Sequence, residues 1–357
     1  VIGLAVARAL AARGAETVVL EREGAIGQGI SSRNSEVIHA GLYYAPHSMK
    51  ERLCVAGKAM LYDYCRRKKI AHKTCGKLVV ATSAEQTDGL RRVEANARRA
   101  GAETFRLTAF EAAAMEPQVR SVEALWSPGT GVVDSRELAA ALASDAEASG
   151  ASIALHSRVE RMSSSSFFDV RDDATGSEFS VIPTKVAVNA AGLFAADLAA
   201  GLLPHPPRLR FAKGSYFACR TRPFSRLVYP LPDPRGGLGI HATVGLDGAV
   251  KFGPDVEFLK DDVRAIDFSV DERRKPAFYD AIRQYYPAIR LEDLSPDYAG
   301  VRPKLAHGDF EIISSHGGAS SSKNGSFNGL LSLLGFESPG LTASLAIAEE
   351  VADLALR

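Results

Sequence analysis

The pair of residues with the clearest chemical spacing in this chain is Gly3 and Glu21, eighteen positions apart. A glycine near a helix start lets backbone approach a pyrophosphate, and an acid after the next strand can hold the ribose hydroxyls of a dinucleotide. The setting agrees. Ile2, Val6 and Leu10 form one apolar helical stripe that stops at Gly14, and Thr17–Leu20 reads as a buried strand leading into Glu21. The other glycines of such a turn and its preceding strand are expected before Val1, with the natural N-terminus and any targeting segment.

Two further places suit a bound anion or a close ligand. The strand Lys185–Val188 runs into Asn189-Ala190-Ala191-Gly192, whose small side chains open the carboxyl edge of a parallel sheet. Near the end, Leu330–Leu334 is apolar, Gly335 opens a turn, and Leu341–Leu356 is helical, with Ser338 and Pro339 at its N-cap and first turn. The free N–H groups of that helix start suit negative charge, including the N1/C2-carbonyl edge of a reduced flavin. A capped terminal helix also occurs for structure alone. The chain has eight histidines, any of which could act as a base near neutral pH. Cys54, Cys65, Cys75 and Cys219 lack CxxC spacing, so they read as buried thiols of a reducing compartment, and no metal site is expected.

The elements that position these residues divide into two styles. With 357 residues and 46% hydrophobic content, the chain can fill two cores. A second α/β pass has Ser135 capping a helix to Ser149, Gly150 ending it, and Ser152–His156 extended. Between and after these passes lie β-rich segments: Gly76–Thr82, Gly214–Arg220 and a hairpin from Gly237 to Gly253 that turns at Asp247-Gly248. The fold class is therefore α/β, a Rossmann-like dinucleotide domain joined to a second domain on a mostly antiparallel sheet. The serine-rich stretches Ser163–Ser166 and Ser314–Ser326 read as exposed loops. The 43 basic and 42 acidic side chains are intermixed, giving a net charge of +1, which argues against nucleic acid as a partner. No apolar run nears the roughly 20 residues of a membrane span, so the expected protein is soluble or at most peripheral.

Four stretches carry a resemblance: Ser31-Ser32-Arg33-Asn34-Ser35-Glu36-Val37-Ile38-His39-Ala40-Gly41-Leu42-Tyr43-Tyr44, Gly237-Leu238-Gly239-Ile240-His241, Tyr298-Ala299-Gly300-Val301-Arg302-Pro303-Lys304 and Gly335-Phe336-Glu337-Ser338-Pro339-Gly340-Leu341-Thr342. In order and wording the chain resembles the L-2-hydroxyglutarate dehydrogenases of the D-amino-acid-oxidase-like FAD superfamily. Lys213-Gly214-Ser215-Tyr216 and Phe252-Gly253-Pro254-Asp255 extend it. It departs at the shortened glycine turn and at an apparent insertion after His316-Gly317. The resemblance implies noncovalent FAD, oxidation of a small 2-hydroxy dicarboxylate, and delivery of electrons to a quinone or electron-transfer protein. It implies a mitochondrial location in a eukaryote, and otherwise a bacterial cytoplasmic or membrane-peripheral one, leaving room for peripheral membrane contact. Some superfamily members attach flavin through a C-terminal-segment cysteine; no cysteine follows Cys219 here.

On this resemblance the FAD-binding domain takes residues 1–75, 135–205 and 325–357, and the substrate domain takes 76–134 and 206–324. The implied catalytic residues are His241 as general base, His39 as a flavin-side or substrate-orienting partner, and Arg302 as a carboxylate clamp, with Tyr216 and Lys251 for the second carboxylate. The implied cofactor residues are Gly3, Glu21, Ser32, Arg33, Asn34, Gly41, Gly192, Gly335, Ser338, Gly340 and Leu341. An FAD amine oxidase or a glycerol-3-phosphate dehydrogenase would keep this fold with another substrate, and a flavin-binding scaffold would keep it without turnover.

Overall fold

The computed structural model describes residues 1–162, 168–181, 185–200, 202, 207–231, 239–260, 266–316 and 329–357. Ser163–Ser166, Gly237-Leu238 and residues 317–326 lie outside them. The apolar stripe becomes the helix Ile2–Ala11, which buries Leu4, Val6 and Leu10. It packs in one core with the helices Met49–Lys68, Ser135–Ala148 and Gly340–Ala355. Small residues set how closely these helices meet: a Cβ on Gly57 would lie 2.5 Å from the Thr342 carbonyl oxygen. Beside them, Val18–Leu20 pairs in parallel with Ser152–Ala154, and Val186–Asn189 in parallel with Gly329–Leu334. Both α/β passes read from the sequence are therefore present.

Two helix starts differ from the expectation. Asp134, not Ser135, caps the helix Ser135–Ala148, because its carboxylate accepts from the Arg136 and Glu137 N–H groups together, at 2.9 Å each. Ser135 instead donates its hydroxyl to Glu36 at 2.7 Å. The helix Gly340–Ala355 has Pro339 at its N-cap and no side-chain acceptor there. Ser338 turns its hydroxyl toward His39 instead.

Nine of the remaining strands build one sheet. Its long strands Arg210–Cys219 and Leu294–Lys304 run antiparallel, and the order continues through Val250–Phe252, Ala242–Val244, Leu227–Pro230, Lys77–Ala81, Glu123–Ser127 and Phe105–Thr108. Its one parallel pairing among these joins Leu227–Pro230 to Lys77–Ala81. The expected hairpin is the pair Ala242–Val244 and Val250–Phe252, with Gly248 at φ 80° in the turn. One face of the sheet buries Leu78, Val80, Phe217, Val228, Ala242 and Phe252 under Phe278 and Ile282 of the helix Lys275–Ile282. Because side chains alternate along a strand, the neighbours Lys77, Tyr216, Tyr229 and His241 point to the other face.

Candidate active site

That second face meets the loop after Ile30 at a close backbone approach. A Cβ on Gly300 would lie 2.2 Å from the Arg33 carbonyl oxygen, so glycine is required for the strand to pass. Next to it Tyr298 donates its hydroxyl to the Asn34 carbonyl at 2.5 Å and stacks on Tyr216 with ring centroids 4.6 Å apart. Loop and sheet are thereby fixed to each other, and the residues that follow, His39 to Tyr44, are held over the sheet.

His39 is tied to the C-terminal helix. Its N–H donates to Thr342 Oγ1 at 3.0 Å, Thr342 donates to the Val37 carbonyl at 3.2 Å, and its Nε2 is 3.3 Å from Ser338 Oγ. His241 belongs to the sheet, where its ring lies flat on Tyr229 with centroids 3.6 Å apart at 11°. Both imidazoles are held far from protonation. Burial first, then the charges of Lys77 and Arg302, bring His39 down to about 3. Burial and the same two cations, with His39 added, hold His241 well below its ordinary range. His39, His241 and Arg302 nevertheless keep some accessible surface, and Tyr43 keeps 38%. The Tyr216 phenol lies against Arg302.

The structure thus brings His39, His241, Arg302 and Tyr216 to one place and leaves Lys251 out. Lys251 lies farther along the same face, where its ammonium pairs with Asp297 at 3.2 Å and covers the Tyr298 ring. Its ammonium already has a carboxylate partner there. Sequence reasoning also missed neighbours of the site. Lys77 is buried between Tyr43 and Tyr229, and Glu337 receives ion pairs from Lys50 at 2.8 Å and Lys304 at 2.6 Å. The available signal for Lys77 was a lysine heading the apolar run Leu78-Val79-Val80-Ala81.

The residues assigned to the cofactor fall into two groups. Gly3, Glu21, Gly192 and Gly340 converge at the helix starts. A Cβ on Gly3 would meet Ala190 at 3.4 Å and one on Gly340 would meet Ile2 at 3.3 Å, while Gly192, at φ 61°, faces Ile30. The Val1 nitrogen lies 3.0 Å from Ser31 Oγ, which draws the loop to the same end. Neither the helix Ile2–Ala11 nor the helix Gly340–Ala355 has a side-chain cap, so both starts present N–H groups, Leu341 among them, to a ligand. This cradle fits a dinucleotide.

Other members serve the protein itself. The Asn34 amide donates to Ser31 O at 2.6 Å and its oxygen accepts from Glu36 N at 2.7 Å, so the side chain shapes its own loop. Ser32 donates to the Gly29 carbonyl, and Arg33 covers Phe268. At Gly41 and Gly335, both at positive φ, the space a side chain would need is filled by Val55 and Leu305. Among the described residues no group of three His, Cys, Asp or Glu side chains could hold a metal, and no helix is long and apolar enough to cross a membrane.

A model of the FAD dependent oxidoreductase family matches residues 1–354. The mitochondrial L-2-hydroxyglutarate dehydrogenase of Arabidopsis thaliana is 39% identical over 409 residues, covering 100% of this chain and 82% of that one. This chain is an FAD-dependent oxidoreductase of the L-2-hydroxyglutarate dehydrogenase family. A second such dehydrogenase, from Bos taurus and also named mitochondrial, is 31% identical over 99% of this chain and 86% of its own. A bacterial one, from Salmonella houtenae, is 30% identical over 84% and 78%. Among solved structures, the L-alpha-glycerophosphate oxidase of Mycoplasma pneumoniae with FAD bound superposes with a TM-score of 0.84 at 21% identity, covering 99% of this chain and 92% of that one. Glycine oxidase from Geobacillus kaustophilus gives 0.79 at 23% identity, covering 99% and 91%. At such identities these structures establish the fold alone. FAD is the cofactor of the family, and no cysteine after Cys219 is present to attach it.

Proposed function

We propose that this dehydrogenase oxidises L-2-hydroxyglutarate to 2-oxoglutarate on the sheet face that carries His241 and Arg302. The observation that carries the reading is the meeting of two uncharged imidazoles and a guanidinium on the face turned toward the uncapped start of the C-terminal helix. Arg302 receives the carboxylate next to the hydroxyl, since its planar fork makes two parallel charge-assisted bonds and so fixes orientation. His241 takes the hydroxyl proton on its imidazole nitrogen. Burial and the nearby cations keep it neutral, which leaves the lone pair free, and the stacked Tyr229 ring holds its plane. His39, anchored through Ser338 and Thr342, orients the substrate from the cofactor side. FAD, when bound by Gly3, Glu21, Gly192, Gly340 and the N–H groups of Leu341 and its neighbours, supplies the hydride acceptor.

The cofactor unit is assigned to residues 1–75, 135–205 and 325–357 and the substrate unit to the remainder. The assignment is supported by separate cores around the four helices and around the sheet's outer face. A quinone or an electron-transfer protein then reoxidises the enzyme, at the membrane surface if it is a quinone. The eukaryotic relatives are named mitochondrial and the bacterial ones are not, which supports a mitochondrial site for a eukaryotic source. The deciding experiment is dye-linked turnover by FAD-loaded protein. L-2-hydroxyglutarate is expected to be consumed while the D enantiomer, glycine, sarcosine and glycerol-3-phosphate are not; preference for any of these overturns the assignment.

A further inference from the structure

Lys77 is 1% exposed in a strand whose other members are Leu78, Val79, Val80 and Ala81. A buried ammonium is costly unless it is paired, and Lys50 and Lys304 share the carboxylate of Glu337. Lys77 has no carboxylate or hydrogen-bond acceptor among the described residues. It has two aromatic faces instead, with Nζ 4.7 Å from the Tyr43 centroid and 4.6 Å from that of Tyr229, the ring on which His241 is stacked. Arg302 likewise has no carboxylate partner among the described residues, and Glu337 is already held by its two lysines. One site therefore holds a guanidinium and a buried lysine, neither paired with a carboxylate among the described residues, and a dianion is the ligand that would pair with both.

We infer that Lys77 is the specificity-determining residue for the substrate's far carboxylate, Arg302 taking the carboxylate beside the hydroxyl. The inference rests on the dicarboxylate reading above and gives Lys77 the role first expected of Lys251, whose ammonium pairs with Asp297.

The surroundings make this binding proton-linked. Facing Lys77 are Cys54 from the helix Met49–Lys68, His39 and Tyr43 from the loop, and Tyr229 and His241 from the sheet. The one of these that would favour its charge, Cys54, is itself pushed up by burial to about 12 and stays a thiol. Burial brings Lys77 down to about 7. Without ligand Lys77 is mostly neutral at pH 8, and an arriving carboxylate favours the ammonium, so binding draws a proton from solvent. Below pH 6 the ammonium is already charged and the uptake fades.

The test uses FAD-loaded protein and two unreactive probes, glutarate and pentanoate, of equal chain length with two carboxylates and one. Affinity is read from flavin absorbance changes, and proton uptake from calorimetry at pH 8 in buffers of different ionisation heat. Wild type is expected to prefer glutarate and take up close to one proton with it. K77M should lose glutarate affinity by about ten- to a hundredfold with pentanoate unchanged and the uptake gone, as the loss of one charge-assisted bond predicts. K77R should recover part of the affinity without the uptake, because guanidinium is always charged. Equal weakening of both probes in K77M, or wild-type binding without proton uptake, overturns the inference. K77R and the wild-type uptake decide the matter even where K77M fails to fold. Failure of wild type to turn over L-2-hydroxyglutarate, with these binding results intact, would instead remove the proposed reaction.

Discussion

Replacing Lys77 with methionine should make the ligand-free holoprotein more stable, and more so in acid than in base. Burial holds this lysine at about 7 against an ordinary 10.5, which at about 1.4 kcal/mol per tenfold change is a cost of roughly 5 kcal/mol for keeping it charged in the fold. Below pH 7 the ammonium is charged in both folded and unfolded chains and the whole cost is present. Between 7 and 10.5 the unfolded chain binds the extra proton, so wild-type stability rises with pH and the cost shrinks. Methionine is close in shape, carries no charge and packs well on the rings of Tyr43 and Tyr229. The advantage of K77M should therefore fall from roughly 5 kcal/mol at pH 6 to about 2 kcal/mol at pH 9, as upper bounds because relaxation around the ammonium lowers both. His39, at about 3, and His241, well below its ordinary range, titrate under this window and leave the difference unchanged. Urea unfolding with excess FAD at pH 6, 7.5 and 9 measures it. A variant no more stable than wild type at pH 6, or an advantage that grows with pH, would refute the desolvated lysine.

Arg302→Lys keeps the charge but loses the fork, so KM for L-2-hydroxyglutarate should rise with a smaller fall in kcat, seen in steady-state kinetics; an unchanged KM would remove the clamp. His241→Ala should lower kcat by about a hundredfold to ten-thousandfold and abolish the acid limb of kcat/KM. Since the imidazole is depressed, that limb in wild type should lie below pH 6.5, and a larger loss in His39→Ala would reverse the two roles. Gly300→Ala places a methyl 2.2 Å from the Arg33 carbonyl oxygen. It should push the loop off the sheet and weaken FAD retention on gel filtration, whereas full retention would show that the loop's docking is dispensable.

Much of the fold was readable because it is local. The stripe Ile2, Val6 and Leu10, the apolar strand Leu330–Leu334 and the turn at Asp247-Gly248 each report on their own segment. His39, His241 and Arg302 were reached through motif wording, and the structure brings them together. What failed depends on partners distant in sequence. Lys251 was expected to meet a substrate carboxylate, and strand pairing sets it by Asp297. Gly335 looked like room for a ligand until Leu305 filled the space. Ser135 lost its cap to Asp134 because an ionised carboxylate can accept two N–H groups at once.

The bonds of His39 to Thr342 and Ser338, and of Thr342 to Val37, span about 300 residues. The helix Ile2–Ala11 also rests on the helix Gly340–Ala355. A nascent chain emerging from the ribosome therefore carries the helix Ile2–Ala11 without the surface that covers it, and His39 without its anchor, until the helix Gly340–Ala355 has been made. Such distant pairing makes folding slow and leaves apolar surface open meanwhile. Cofactor capture becomes a late event in biosynthesis, and chains released early should reach the quality-control machinery with no flavin to hold them together.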